Sequence, residues 1–443
     1  MTETKNAVIG QSGGPTAAIN ATLAGVIAGC LDENASIDRI YGMRHGIEGF
    51  MKEELVELNS RFAKNREEDL RLLSLTPAAA LGSCRVKLTE EKQFEKIFTV
   101  LEKYNIGYFF YIGGNDSMDA VAKLETYREK HPAVNPTATR FIGVPKTIDN
   151  DLCFTDHTPG FGSAAKYIAS SLAEIVRDCA VYRQKAVTVV ELMGRDAGWL
   201  TAAAGLTKEI AGVGADLIYL PEVPFDTERF LSDVMNQLNI PGKSFVLVAV
   251  SEGIRNKDGD YVAKAAMSGV VDIFGHAYLS GTGKYLENLI RDEIGCKCRS
   301  VELSVLQRCA SHLASKTDIE ESMLIGREAV KAAVSGKSGR MMAFVRKNAD
   351  GSEPYEIGVT DVDVSASANR VKIVPNEFIT PDGKGVTRQC IDYLMPLIKG
   401  ECETVYTNGI PQHFTLLRPL ALGKMYSFSR VHLDGFNKKT VAS

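Results

Sequence analysis

Pro145-Lys146-Thr147-Ile148-Asp149-Asn150-Asp151 gathers a cation, a hydroxyl and two carboxylates into one short stretch. Phosphoryl transfer uses those parts: a cation to offset charge, a metal ligand, and a carboxylate to take the proton of an attacking hydroxyl. A plain turn would rarely assemble them all. Gly113-Gly114-Asn115-Asp116-Ser117 adds a carboxylate to a glycine pair. There Asp116 either holds Mg²⁺ against phosphate oxygens or, with Ser117, caps a helix. Ser12-Gly13-Gly14 offers bare backbone N–H groups, which suit a phosphate as well as they suit a tight turn. Met193-Gly194-Arg195, Ser251-Glu252-Gly253 and Gln307-Arg308 each bring a polar or cationic group, and an arginine fork matches a sugar phosphate. Singly these are ordinary surface or capping residues; their worth depends on belonging to one site.

The elements around these loops follow one pattern. Apolar, β-branched runs at Ala7-Val8-Ile9, Tyr108 to Ile112, Arg140 to Val144 and Ala186 to Leu192 each lead into one of the loops, and a helical stretch follows. Ser244 to Val250 and Met341 to Val345 read as further strands. The expected fold is therefore α/β, with two open, doubly wound, mostly parallel sheets covered by helices on both faces. Ligands of such sheets sit at the carboxyl ends of the strands, where these loops lie. Asn348 to Ser352 reads as a hairpin tip, and no internal repeat is present.

Composition excludes several classes. Of 443 residues, 45% are hydrophobic and 24% charged, the balance of a folded globular protein. With 51 basic against 55 acidic residues, no basic surplus advertises nucleic acid as a partner. The longest apolar runs, such as Val246 to Val250, are too short to span a bilayer, and the first residues lack a signal-peptide pattern. Nine scattered cysteines fit reduced thiols in a cytoplasm, and Cys296-Lys297-Cys298 has no second pair to make a zinc site. Gly281-Thr282-Gly283-Lys284 and Gly336-Lys337-Ser338 both lack the full P-loop pattern, and no GxGxxG follows the first strand.

In order and spacing, from about residue 6 to residue 345, these segments resemble the phosphofructokinase family. Members carry a first glycine-pair loop like Gly13-Gly14, a GGDGS or GGDDS loop like Gly113 to Ser117, and a PGTIDND or PKTIDND loop like Pro145 to Asp151. They also carry MGR, SEG or TEG, and QR segments like those at Met193, Ser251 and Gln307. The resemblance implies two interleaved domains: residues 1–150 for the phosphoryl donor, 151–300 for the sugar phosphate, and 301–443 returning over both with a C-terminal extension.

By the same resemblance Asp149 is the base for the sugar's 1-hydroxyl, Thr147 and Ile148 touch the acceptor, and Asp151 assists at Mg²⁺. Met193, Gly194, Arg195, Glu252, Val305 and Arg308 hold fructose 6-phosphate. Arg299 reaches a neighbouring subunit's site, which implies a homodimer or homotetramer. ATP users in the family have glycine at the positions of Asp116 and Lys146, where the α-phosphate needs room, whereas pyrophosphate users have aspartate and lysine. Both bulky residues are present, so the implied donor is pyrophosphate and the implied setting glycolysis or gluconeogenesis. An ATP-dependent enzyme that tolerates Lys146, a longer sugar acceptor and a non-catalytic regulatory subunit remain alternatives.

Three departures from the family pattern stand out. Asn115 occupies the place of the usual metal-binding aspartate, leaving Asn115 and Asp116 as candidate ligands. Val305 replaces a histidine or tyrosine and removes one hydrogen bond, typically worth roughly 0.5–1.5 kcal/mol. Ala186 stands where a second cross-subunit arginine is usual, with Lys185 and Arg183 nearby. Residues 361–443, including Phe378 to Gly383 and the basic pair Lys438-Lys439, show no motif that carries chemistry.

Overall fold

The computed structural model describes residues 4–33, 36–132, 137–263, 281–348, 354–368 and 370–416. All six apolar runs read from the sequence are strands. The larger sheet contains β1 (Lys5–Gln11), β2 (Ile37–Met43), β3 (Leu55–Glu57), β4 (Ile106–Gly113) and β5 (Arg140–Pro145). The smaller contains β6 (Ala186–Leu192), β7 (Leu217–Tyr219), β8 (Phe245–Ser251) and β9 (Lys297–Glu302). The chain then returns to the larger sheet with β10 (Arg340–Arg346) and β11 (Ile357–Asp363). Most of the hairpin-tip residues between β10 and β11, and Lys438-Lys439, lie outside the described residues.

Strand order is β11-β10-β5-β4-β1-β2-β3 in the larger sheet and β7-β8-β6-β9 in the smaller. Within these two sheets all pairs are parallel except the two at the larger sheet's edges, β2 with β3 and β10 with β11. β4, Ile-Gly-Tyr-Phe-Phe-Tyr-Ile-Gly, is buried along its whole length, as a central strand with helices on both faces must be. The direction of strand addition reverses between β1 and β4, and such a switch point leaves a crevice at the strand ends.

The helix Phe161–Cys179 follows the β5 loop, and the helix Lys316–Val334 supplies its cap. The carboxylate of Asp318 accepts from the backbone N–H groups of Gly160 at 2.8 Å and Ser163 at 2.9 Å. Those donors stand at a helix start and have no partner within the helix, so a buried acceptor from a distant element fixes where the helix begins. This anchors the far end of the β5 loop. Among the described residues no helix is long and apolar enough to cross a membrane.

Candidate active site

Three loops leave the carboxyl ends of β1, β4 and β5 side by side, and hydrogen bonds join them. The Ser12 and Ser117 hydroxyls meet at 2.5 Å across the switch point. The Lys146 N–H donates to the Gly113 carbonyl at 3.0 Å. The Lys146 ammonium reaches back and donates to the Gly14 carbonyl at 2.7 Å.

The glycine pair now has a physical role. A side-chain carbon at Gly13, whose φ is +77°, would stand 3.2 Å from Lys146 Nζ, and one at Gly14 would stand 3.3 Å from Arg308 Nη1. Bare backbone lets both cations close on the loop. The result is a cleft of about 650 Å³ between the two sheets, lined by Gly13, Gly14, Asn115, Asp116, Lys146, Thr147, Ile148, Asp149 and Asp151 on one side. Met193, Arg195, Glu252, Val305 and Arg308 line the other.

Two of the named residues, Gly194 and Arg299, are not in the lining of this chain's own cleft. Gly194, at φ +117°, acts through its backbone: its N–H donates to Glu252 Oε1 at 3.3 Å and its carbonyl accepts from the Ser251 hydroxyl at 2.7 Å. Arg299, on β9, does not line the cleft; it pairs with Asp178 and donates to the Thr188 hydroxyl at 3.3 Å.

Sequence reasoning missed Arg85 and Lys87, which line the donor side. They stand in an irregular stretch bound to the first loop: Gly13 N–H donates to the Cys84 carbonyl at 3.2 Å, and the Ser83 hydroxyl to the Gly13 carbonyl at 2.7 Å. Lys87 Nζ lies 3.8 Å from Asp116 Oδ1. The available signal was two basic residues two positions apart, just after Gly82 and outside any periodic pattern.

Burial and close charges tune the groups in the cleft. Burial raises the Asp149 carboxyl above its ordinary range, while Lys146, Arg195 and Arg308 pull it back. Asp151 is pushed up to about 7 by burial and by the charge of Asp149, and Glu252 to about 8 by burial and again by Asp149. Burial brings Lys146 down to about 8 against the opposing pull of Asp149 and Asp151. An acid cluster raised toward neutrality beside buried cations is suited to moving protons and holding phosphate.

The residues also fit a hard cation. The amide nitrogen of Asn115 donates to Asp151 Oδ2 at 3.3 Å, while its Oδ1 is buried with no hydrogen-bond partner among the described residues. An orphaned carbonyl oxygen beside a carboxylate is the donor chemistry that Mg²⁺ takes. Asp116 instead faces Lys87.

Parallel sheets meeting over a cleft of cations and acids define an α/β phosphotransferase-like protein. A family model described as Phosphofructokinase matches residues 6–333, and the chain belongs to that family. It is similar to the pyrophosphate–fructose 6-phosphate 1-phosphotransferase of Halomonas elongata, with 40% identity over 417 residues, 92% of this chain and 95% of that protein. The protein of the same name from Methylococcus capsulatus is 41% identical over 421 residues, 93% of this chain and 96% of the relative. The crystal structure of a pyrophosphate-dependent phosphofructokinase from Nitrosospira multiformis matches with a TM-score of 0.82 at 36% identity, covering 93% of this chain and 96% of that one.

Proposed function

We propose that this chain transfers a phosphoryl group from pyrophosphate to the 1-hydroxyl of fructose 6-phosphate, reversibly, giving fructose 1,6-bisphosphate and phosphate. The observation that carries this reading is Lys146: a buried ammonium held against the Gly14 carbonyl, facing Asp149 and Asp151 from the donor side. With Asp116 it takes up the room that a third phosphate and a nucleoside would need, and its charge serves a donor only two phosphates long. Relatives named for the same reaction, aligned over nine tenths of the chain, support the same donor and acceptor.

In this mechanism Asp149 accepts the proton of the 1-hydroxyl as its oxygen bonds to phosphorus, and the bridging bond of pyrophosphate breaks to release phosphate. Lys146 holds the transferred group, and Thr147, Arg195 and Arg308 hold the acceptor, so catalysis is positioning and charge stabilisation. Asn115 and Asp151 would hold Mg²⁺, which when bound neutralises charge on the phosphate oxygens. Residues 1–150 carry the donor loops, 151–300 most of the sugar contacts, and 301–443 return over both.

The same reading makes the enzyme a cytoplasmic homodimer or homotetramer whose sites are shared. All nine thiols are free, and Arg299 stands away from its own cleft, with half of its side chain exposed. Initial rates with Mg²⁺, fructose 6-phosphate and either pyrophosphate or ATP test the proposal in the parent and in Asp149→Ala. The expected result is turnover with pyrophosphate alone, reduced by about 10²–10⁴-fold in the variant. Turnover with ATP alone would overturn the donor assignment, and no turnover with either would favour the regulatory subunit or another acceptor.

A further inference from the structure

Asn150 stands between the two loop carboxylates and is fully buried in the left-handed region, at φ +53°. A side-chain-bearing residue persists there when its surroundings over-determine it. Here both ends of its amide are held by the C-terminal part of the chain, in which the sequence shows no motif. Asn150 Nδ2 donates to Tyr393 Oη at 3.0 Å, and Asn150 Oδ1 accepts from Lys372 Nζ at 3.2 Å. The backbone N–H of Lys372 donates to the Asp151 carbonyl at 2.8 Å.

The same two side chains also hold the outgoing limb of the loop. Lys372 Nζ donates to the Thr155 carbonyl at 3.1 Å and the Asp156 carbonyl at 2.8 Å, so its donors are spent on the loop. Tyr393 Oη donates to the Asp156 carbonyl at 2.7 Å. Lys372 is fixed in turn by Trp199, whose ring lies 5.2 Å from the ammonium and whose Nε1 donates to the Lys372 carbonyl at 2.8 Å. Neither Lys372 nor Tyr393 lines the cleft.

We propose that Lys372 and Tyr393 are positioning residues for phosphoryl transfer: by clamping Asn150 from both ends of its amide they fix how Asp149 and Asp151 face the cleft. The proposal rests on the functional reading above. Rotation of the backbone at Asn150 turns one carboxylate relative to the other, and misplacement of about 1 Å costs on the order of 10² in rate.

The test measures kcat and KM for both substrates in the parent, Lys372→Met, Lys372→Arg and Tyr393→Phe, with circular dichroism melts giving the folded fraction. Lys372→Met is expected to lose about 10²-fold in kcat while each KM stays within about threefold, because alignment rather than affinity is lost. Lys372→Arg keeps the cation and should recover about tenfold of that loss. Tyr393→Phe keeps the ring against Trp199 and Phe378 and should lose about fivefold in kcat, the scale of one hydrogen bond. If Lys372→Met does not fold, Tyr393→Phe decides alone. Unchanged kcat per folded molecule, or a rise in KM at constant kcat, overturns the proposal. A parent that works with ATP alone sinks the donor assignment and leaves these ratios as the test; a parent inactive with both donors removes the two proposals together.

Discussion

The two walls of the cleft are built on opposite principles. On the donor wall Lys146 is buried and bonded to Gly14, and the loops after β1, β4 and β5 are joined across the switch point. On the sugar wall Val305 is 50% exposed, and among the described residues Arg195 Nε is buried without a hydrogen-bond partner. Arg299 turns to Asp178 instead of the cleft. Apart from the Asn115 oxygen left for a cation, the donor wall is thus pre-organised inside one chain, whereas under our reading the sugar wall is completed by its ligand and by a neighbouring subunit. Pre-organised charge contributes most where charge develops in the transition state. Changes on the donor wall should therefore cost turnover, and changes on the sugar wall should cost affinity.

The sharpest way to break that contrast is Lys146→Met. We expect kcat/KM for pyrophosphate to fall by about 10²–10³, with fructose 6-phosphate binding by calorimetry little changed. Replacing Asp116 and Lys146 together by glycine should lower the ratio of pyrophosphate to ATP turnover by at least about tenfold, because room is gained and local charge lost. An unaltered ratio would mean that these side chains do not set donor length. On the other wall, Arg195→Ala removes the fork that we propose holds the sugar phosphate. A charged hydrogen bond of about 1.5–3 kcal/mol corresponds to a rise in KM for fructose 6-phosphate of roughly 10- to 100-fold. A fall in kcat without that rise would erase the distinction between the walls.

Anchorage of the β5 loop gives a pH signature. His157 is buried between Asp156 at 2.9 Å and Glu321 at 2.8 Å, stacked on Phe344. Burial alone would lower its affinity for a proton; the hydrogen bonds to Asp156 and Glu321 outweigh that and hold the imidazole up at about 9. A folded-state pKa above the unfolded value of 6.5 means that stabilisation is complete below pH 6.5 and is lost as pH rises through about 9. His157→Gln should flatten that part of the thermal midpoint's pH profile, and a parent profile already flat from pH 6.5 to 9 would refute the charged pair. Asp149 and Asp151 carry the opposite chemistry but the same sign: carboxyls raised on folding favour the native state when protonated, and that contribution fades as pH rises from about 4 through the Asp151 value of about 7. Asp149→Asn should accordingly melt a few degrees higher than the parent at neutral pH while losing turnover.

What the sequence revealed follows the same division. β1, β4, β5, β6, β8 and β10 announce themselves because buried parallel strands need unbroken apolar runs. β9, Lys-Cys-Arg-Ser-Val-Glu, has no fully buried residue and carries charge, β2 interleaves Asp38 and Arg39 with its apolar residues, and β7 is three residues long. None of these gives a periodic signal strong enough to read. The cleft residues were legible where consecutive positions share one task, as at Pro145 to Asp151. Arg85, Lys87 and Lys372 act singly from irregular segments and Tyr393 from the short helix Arg388–Leu394, and only the folded chain brings them to the loops they serve. Asn115 was legible as a departure, while the orphaned state of its oxygen beside Asp151 is a tertiary fact.

The smallest expected effect tests the sugar wall at its most open point. Val305 lines the cleft half-exposed on the turn Ser304–Arg308 that follows β9, a position from which a hydroxyl could reach the acceptor without disturbing the core. Val305→Tyr should restore one hydrogen bond, about 0.5–1.5 kcal/mol, and lower KM for fructose 6-phosphate by roughly two- to tenfold. Because the donor wall is held by its own bonds, KM for pyrophosphate and kcat should stay where they are. If instead all three parameters move together, the two walls close as one unit, and the pre-organisation assigned to the donor wall depends on the sugar being bound.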